Sequence, residues 1–173
     1  MTLNTDLLKS TWQRALEENG GARSLGLAFY KRLFEKYPGV KPLFSTPPEE
    51  QHKKLMASVG SIVAAVNNPD KLVPFLQAMA IRHLKYRTKN EHYAAVSENL
   101  VHVLGEHLSA EGEWTDEMRQ VWESALDTVS QVMIEAASDP DKCAEALEKS
   151  GYGPDGFRSG DPKPWVIDEA LKG

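Results

Sequence analysis

The sequence has very little cysteine and no long apolar run, and both absences narrow the class of protein that it encodes. A single cysteine, Cys143, excludes an internal disulfide framework and fits a reducing compartment, so we expect a cytoplasmic location. No run of about 20 apolar residues could span a bilayer, and the first residues lack the basic-then-apolar layout of a signal peptide.

Positively charged residues are outnumbered by negatively charged ones. The 173 residues include 20 lysines and arginines against 25 aspartates and glutamates, which gives a formal net charge of −5. A chain with this balance has no overall field that attracts nucleic acid or anionic lipid. We therefore expect neither nucleic acid nor a membrane among its partners.

The usual catalytic motifs are absent as well. The sequence contains no GxSxG, HExxH, GxxxxGK[ST] or paired CxxC motif, and its five histidines do not fall at the spacing of a metal cluster. The polar side chains of interest are therefore those that fall on apolar helix faces.

A succession of helices is what the sequence does contain. Apolar residues recur at helical spacing and no segment reads as a strand, so we predict an all-α domain over residues 1–138. A C-terminal extension, residues 139–173, is predicted to form a short helix from Pro140 to Lys149 and then an irregular tail rich in glycine and proline. The long helices are predicted at about residues 7–16, 25–34, 49–66, 72–83, 88–108 and 115–138.

Three polar residues fall on or beside apolar stripes. His83 shares a face with Met79, so its imidazole is predicted to point inward, where each nitrogen needs a partner or a metal. Tyr30 lies on a buried helix, and Gln51 begins the stripe that continues at Leu55. Taken singly, His83 and Tyr30 are explained by core packing, and Gln51 is explained by an exposed first turn of its helix.

Their combined order and spacing are more specific. The relevant segments are Phe29-Tyr30-Lys31-Arg32-Leu33-Phe34, Tyr37-Pro38, Leu43-Phe44, Gln51, Lys54-Leu55-Met56, Ile81-Arg82-His83 and Tyr93. Over about residues 5–138 this pattern resembles the globin family, and most closely the single-domain bacterial globins and the globin domain of flavohaemoglobins. The resemblance implies a globin fold around haem b.

The resemblance also implies roles for individual residues. His83 corresponds to the proximal histidine, with Nε2 on the iron and the other nitrogen donating to a carbonyl in the preceding turn. Tyr30 and Gln51 correspond to the distal pair that donates hydrogen bonds to bound O2. Phe44 corresponds to the aromatic ring that packs on the porphyrin, and Leu55 to the apolar residue that crowds the sixth position.

Other positions keep two interpretations. Lys54 meets a haem propionate or is simply solvated. Tyr93 reaches the proximal histidine, supported by Glu135 or Asp139, or it is a core tyrosine. His52 faces away from the haem, or it binds the iron after a small shift of its helix.

Five further residues have a smaller place in the expected site or none. Arg87 is a second candidate for a haem propionate, because relatives often have a glycine soon after the proximal histidine and this chain does not. His92, His102 and His107 are expected at the surface or its boundary, without a function. Cys143 is expected to be an inert helix residue, with a thiol link between subunits as the alternative.

Three functions are compatible with such a globin. The first is binding, delivery or storage of O2, with NO and CO as further ligands. The second is nitric oxide dioxygenation, for which a separate reductase would supply electrons, since the chain shows no flavin or nicotinamide domain. The third is a gas sensor that signals through its C-terminal tail; a haemless stress regulator is the outside case. The sequence gives no prediction of the oligomeric state.

Overall fold

The structure is a computed structural model that describes residues 4–44, 47–85, 88–109 and 114–153. Every regular element in this part of the chain is helical, which confirms the predicted all-α class. The α-helices are α1 (Thr5–Glu17), α2 (Gly21–Lys36), α3 (Pro48–Ala65), α4 (Pro69–Lys85), α5 (Asn90–Ser109), α6 (Asp116–Ser138) and α7 (Ala144–Lys149). Two 3₁₀ helices cover Pro38–Leu43 and Pro140–Cys143.

The helix ends follow from local side-chain chemistry. The Asn4 side chain accepts a hydrogen bond from the Leu7 amide at 3.1 Å, and the Thr115 hydroxyl accepts one from the Met118 amide at 3.2 Å. Both side chains thereby satisfy an amide that the first turn of a helix leaves without an intrahelical acceptor. α4 begins at Pro69, three residues before its apolar stripe, because proline suits the first helical position.

The core consists of two clusters of buried side chains. The larger cluster packs α1, α2, α3, α5 and α6 around Phe29 and Trp122. One buried polar contact of this cluster is a hydrogen bond of 3.1 Å from the Trp122 indole nitrogen to the Thr11 hydroxyl. The smaller cluster packs α4 and α6 around Leu76 and Met133.

The first part of the predicted extension packs on the helix bundle. Leu147 of α7 is 1% exposed and belongs to the smaller cluster together with Cys143, and α7 contacts α4 directly. Burial and the nearby carboxylates of Asp139 and Glu135 raise the pKa of the Cys143 thiol, which keeps it protonated and unreactive. The predicted tail beyond residue 153 lies outside the described residues.

No helix in the described part of the chain is long and apolar enough to cross a membrane.

Candidate functional site

A cavity of about 580 Å³ lies in the middle of the helix bundle. Side chains of α2 and α3 form one wall, and those of α4, α5 and α6 form the other. The lining is mostly aliphatic and aromatic, and includes Leu33, Val59, Ile62, Leu100 and Met133. Its volume falls within the range of about 300–1,000 Å³ that is usual for small-molecule and cofactor sites.

His83 lies on the α4 wall of this cavity. Its Nδ1 is 2.6 Å from the carbonyl oxygen of Met79, one helical turn earlier. Because a carbonyl can only accept, Nδ1 carries the proton and Nε2 carries the lone pair in the neutral ring. Burial lowers the pKa of His83 to about 4, against the opposing effect of the Met79 hydrogen bond. The imidazole is therefore neutral at pH 7 and able to act as a metal ligand.

Tyr30 and Gln51 line the same cavity from α2 and α3. Tyr30 is 3% exposed, and its burial raises the pKa of the phenol, while a hydrogen bond with the Gln51 side chain acts in the opposite direction. The Oε1 atom of Gln51 is buried and has no hydrogen-bond partner among the described residues. A buried amide oxygen without a partner costs about 1–3 kcal/mol, so this corner is suited to a polar occupant.

Three further predicted residues lie along the cavity. The Phe44 ring is 5.5 Å from the Tyr30 ring and 5.6 Å from the Phe34 ring, measured between centroids. Leu55 is partly buried on the α3 wall, whereas Lys54 is exposed and lines the mouth. The structure thus brings Tyr30, Phe44, Gln51, Lys54, Leu55 and His83 to one cavity.

The residues present fit a haem group. A porphyrin is a flat apolar plate, and the walls are largely apolar with the His83 lone pair as one metal-binding atom. Val96 is 36% exposed although it is apolar, and it lies on the cavity lining, where a bound porphyrin would cover it. No cluster of three or more His, Cys, Asp or Glu side chains in the described residues could hold a metal ion without such a cofactor.

Comparison with known proteins decides the family. The family model named Globin matches residues 27–133, which is more than half of the chain. An uncharacterized globin-like protein of Aquifex aeolicus is 32% identical over 119 residues, covering 69% of this chain and 81% of that protein. The chain belongs to the globin family.

Longer relatives contain a similar segment. A flavohemoprotein of Halalkalibacterium halodurans is 26% identical over 133 residues, which cover 75% of this globin but only 30% of the relative. A flavohemoprotein of Bordetella pertussis is 28% identical over 131 residues, with similar coverage. This globin therefore spans about a third of the length of the flavohemoproteins that it matches.

A solved structure supports the fold. The bacterial globin of Campylobacter jejuni superposes with a TM-score of 0.67 and covers 80% of this chain and 96% of its own. Because only 22% of the aligned residues are identical, this likeness speaks for the globin fold and not for a particular ligand.

Tyr93 lies beside His83, as the globin pattern leads one to expect. The two ring centroids are 6.2 Å apart with the planes tilted by 31°, and burial raises the pKa of Tyr93 to about 12. Neither Glu135 nor Asp139 hydrogen-bonds to Tyr93; both are exposed and act on the pKa of Cys143 instead. The interpretation with carboxylate support is therefore not formed in this structure, and Tyr93 packs in the smaller core cluster.

The location of His52 decides between its two interpretations. His52 is 5% exposed and does not line the cavity; it packs on Gly26 of α2. The rotation of about 100° per helical residue explains why His52 points away when Gln51 points inward. Arg87 lies outside the described residues, so its proposed contact with a propionate remains a prediction.

Sequence reasoning missed two residues at the mouth of the cavity. His92, given no function above, lines the cavity, and its Nδ1 accepts a hydrogen bond of 3.0 Å from the Lys89 amide. Arg82 also lines it and adds positive charge on the same wall as His83. In the sequence, only the position of His92 next to Tyr93 could have indicated that His92 lines the cavity.

A polar network behind Tyr30 was also missed. Asn99 is fully buried and donates to the carbonyl oxygen of Phe29 at 2.8 Å, while Arg32 donates to Asn99 at 2.8 Å. The two terminal nitrogens of Arg32 contact the Glu98 carboxylate at 3.0 and 2.9 Å, which lowers the pKa of Glu98 to about 2. This network joins α5 to α2 directly beside Tyr30.

Proposed function

We propose that this globin binds haem b through Nε2 of His83 and holds a diatomic gas against Tyr30 and Gln51. Binding or storage of O2 is the function that the site supports best, with NO and CO as further ligands. One observation carries the proposal: a neutral imidazole and a buried tyrosine–glutamine pair line a single apolar cavity. The single cysteine favours a cytoplasmic location.

Bound haem would supply an iron atom with one coordination position for the gas. On the gas side, the Tyr30 phenol stays protonated because burial raises its pKa, so it can donate a hydrogen bond to a ligand that carries partial negative charge. Gln51 can turn its amide to present either a donor or an acceptor. Phe44 and Leu55 would exclude water from this corner, and Lys54 would meet a propionate at the mouth.

An absorption spectrum of the purified protein tests the haem site. We expect a Soret band for the wild type, its loss in His83→Ala, and its return when imidazole is added to that variant. His102→Ala is the matched control, because His102 lies on α5 with its Nε2 2.5 Å from the Glu106 carboxylate and does not line the cavity. A His83→Ala protein with the wild-type spectrum would contradict the assignment.

Nitric oxide dioxygenation is a second candidate, favoured by the similarity to flavohemoproteins. In that reaction NO and O2 combine with one electron to give nitrate, and we propose a separate reductase as the partner that supplies the electron. We expect stoichiometric nitrate when NO is mixed with the reduced, oxygenated protein. Turnover beyond one equivalent should appear only when a flavin-dependent reductase and nicotinamide cofactor are added.

Gas sensing through the C-terminal extension is the alternative, and one packing contact favours it. We propose a globin domain over residues 1–138 and an extension over 139–173 whose α7 rests on α4, the helix that carries His83. A change at the iron that moves α4 would be transmitted to α7. Hydrogen exchange of α7 that differs between the ferrous and CO-bound protein would support sensing, and identical exchange would oppose it.

A further inference from the structure

A second concave surface lies on the outside of the molecule. It is an open groove of about 810 Å³ between α5 and α6, lined by side chains such as Ala94, Val101, Asp127 and Gln131. Ser97 of α5 and Ser130 of α6 line both this groove and the cavity proposed for haem, and no other described residue does so. The two serine side chains therefore lie where the groove and the cavity adjoin.

The two serines are joined across the helix seam. Their hydroxyl oxygens are 3.2 Å apart, and both side chains are partly buried. The other α5 and α6 side chains that line the cavity include the small Ala95 and the larger Tyr93, Leu100, Leu126 and Met133. The groove and the cavity therefore meet at the serine pair, whose two hydroxyls are joined by one neutral hydrogen bond.

The surroundings make this hydrogen bond easy to open. When two hydroxyls separate inside a core, each is left without a partner at a high cost. Here the groove admits water to the same side chains, so a rotated hydroxyl exchanges its protein partner for a water molecule. Rotation of a serine side chain takes picoseconds to nanoseconds, which is fast compared with gas binding.

We propose that the Ser97–Ser130 pair is a gate through which diatomic gases pass between the α5–α6 groove and the haem cavity. The proposal rests on the proposed haem site. A molecule of two atoms needs only a brief, narrow opening, whereas a larger solute would need the helices to separate. The gate thus connects the cavity with solvent at the α5–α6 seam, away from the mouth where Lys54 and His92 lie.

Photolysis of the CO complex of the haem-loaded protein tests the gate. In Ser97→Leu the larger side chain blocks the seam, so CO association from solvent should slow and more of the photolysed CO should rebind before it escapes. Ala94→Leu is the matched control, because Ala94 is exposed on α5 and lines the groove but not the cavity. Its rates should equal those of the wild type.

The opposite perturbation is Ser97→Ala with Ser130→Ala, which removes the hydrogen bond and keeps the seam narrow. Escape of CO should become about fivefold faster, the factor that corresponds to one lost hydrogen bond of about 1 kcal/mol. Wild-type rates in both the leucine and the double-alanine variant, with an unchanged Soret band, would overturn the gate.

A measurement without CO separates the gate from the haem proposal. Crystals under xenon pressure should show xenon beside Ser97 and Ser130 in the wild type and none there in Ser97→Leu. A wild type without a Soret band would refute haem binding, while the xenon result would still decide the gate. Absence of xenon from the seam of the wild type would count against it.

Discussion

Tyr30→Phe removes one hydroxyl group from the gas side of the cavity and leaves the ring in place. Tyr30 packs edge-on against Phe29 at 5.1 Å and against Phe44 at 5.5 Å, so phenylalanine can keep both ring contacts. The substitution therefore removes the donor available to a bound gas and the hydrogen bond with the Gln51 side chain, while it keeps the ring packing. We expect O2 to leave the variant faster and CO to be affected less, because CO carries less negative charge.

The size of the effect follows from the burial of the phenol. Tyr30 is 3% exposed, and this burial disfavours the charged phenolate and so raises the pKa of the phenol. One hydrogen bond to a partly charged acceptor in such a place contributes about 1–3 kcal/mol, which corresponds to a rate increase of about 5- to 150-fold. The upper end of this range applies if Gln51 cannot replace the lost donor.

Stopped-flow replacement of O2 by CO measures the off-rate directly. Tyr37→Phe is the matched control, because Tyr37 donates to Glu98 at 2.9 Å and does not line the cavity. Its O2 off-rate should stay at the wild-type value. An off-rate for Tyr30→Phe within twofold of the wild type would refute the assignment of Tyr30 as the donor to the bound gas.

Three further predictions concern stability and are checked by urea unfolding of the apoprotein. Glu98→Gln should destabilise the fold by about 1 kcal/mol at pH 7, a value reduced for the 41% exposure of the Glu98 side chain. The folded state lowers the pKa of Glu98 to about 2, so the stabilisation by Glu98 is present above pH 4.5 and is lost as the pH falls toward 2. Glu123→Gln is the control, because Glu123 forms an exposed ion pair with Arg119, and its loss should cost less than about 0.5 kcal/mol. Leu147→Ala should cost about 2–5 kcal/mol, and a loss below about 1 kcal/mol would show that α7 is not part of the folded core. Gly26→Ala places a Cβ atom 2.5 Å from the Cβ of His52, so α2 and α3 must shift at a cost of about 1–3 kcal/mol; an unchanged midpoint would contradict this close packing.

The helices and the main site residues could be predicted from the sequence for identifiable reasons. Six long apolar stripes at helical spacing predict helices without any knowledge of tertiary contacts. His83 lies on such a stripe, which is enough to place its ring inside the molecule. The spacing between Tyr30, Gln51 and His83 fits a known family pattern, which assigns all three to one cavity even though they come from three helices.

The missed residues depend on contacts between distant parts of the chain. Asn99 lies among apolar residues of α5, and its partners Phe29 and Arg32 are 70 and 67 positions away. No local pattern indicates that a buried amide will find both a donor and an acceptor at that distance. His92 was missed for a different reason, because it lies in the first turn of α5, and sequence patterns locate helix ends only to within one or two residues.

Protonation states are the part of the site that only the folded structure determines. Burial lowers the pKa of His83 and raises the pKa of Tyr30, since it disfavours the charged form of either group. The same desolvation therefore leaves one wall with a neutral lone pair for a metal and the other with a neutral hydroxyl donor. An exposed histidine would be partly protonated near its ordinary pKa of about 6.5, where it would lose part of its ability to bind iron. The apolar lining would thus do more than accommodate a porphyrin, because it also keeps both polar walls in the protonation states that the proposed gas binding requires.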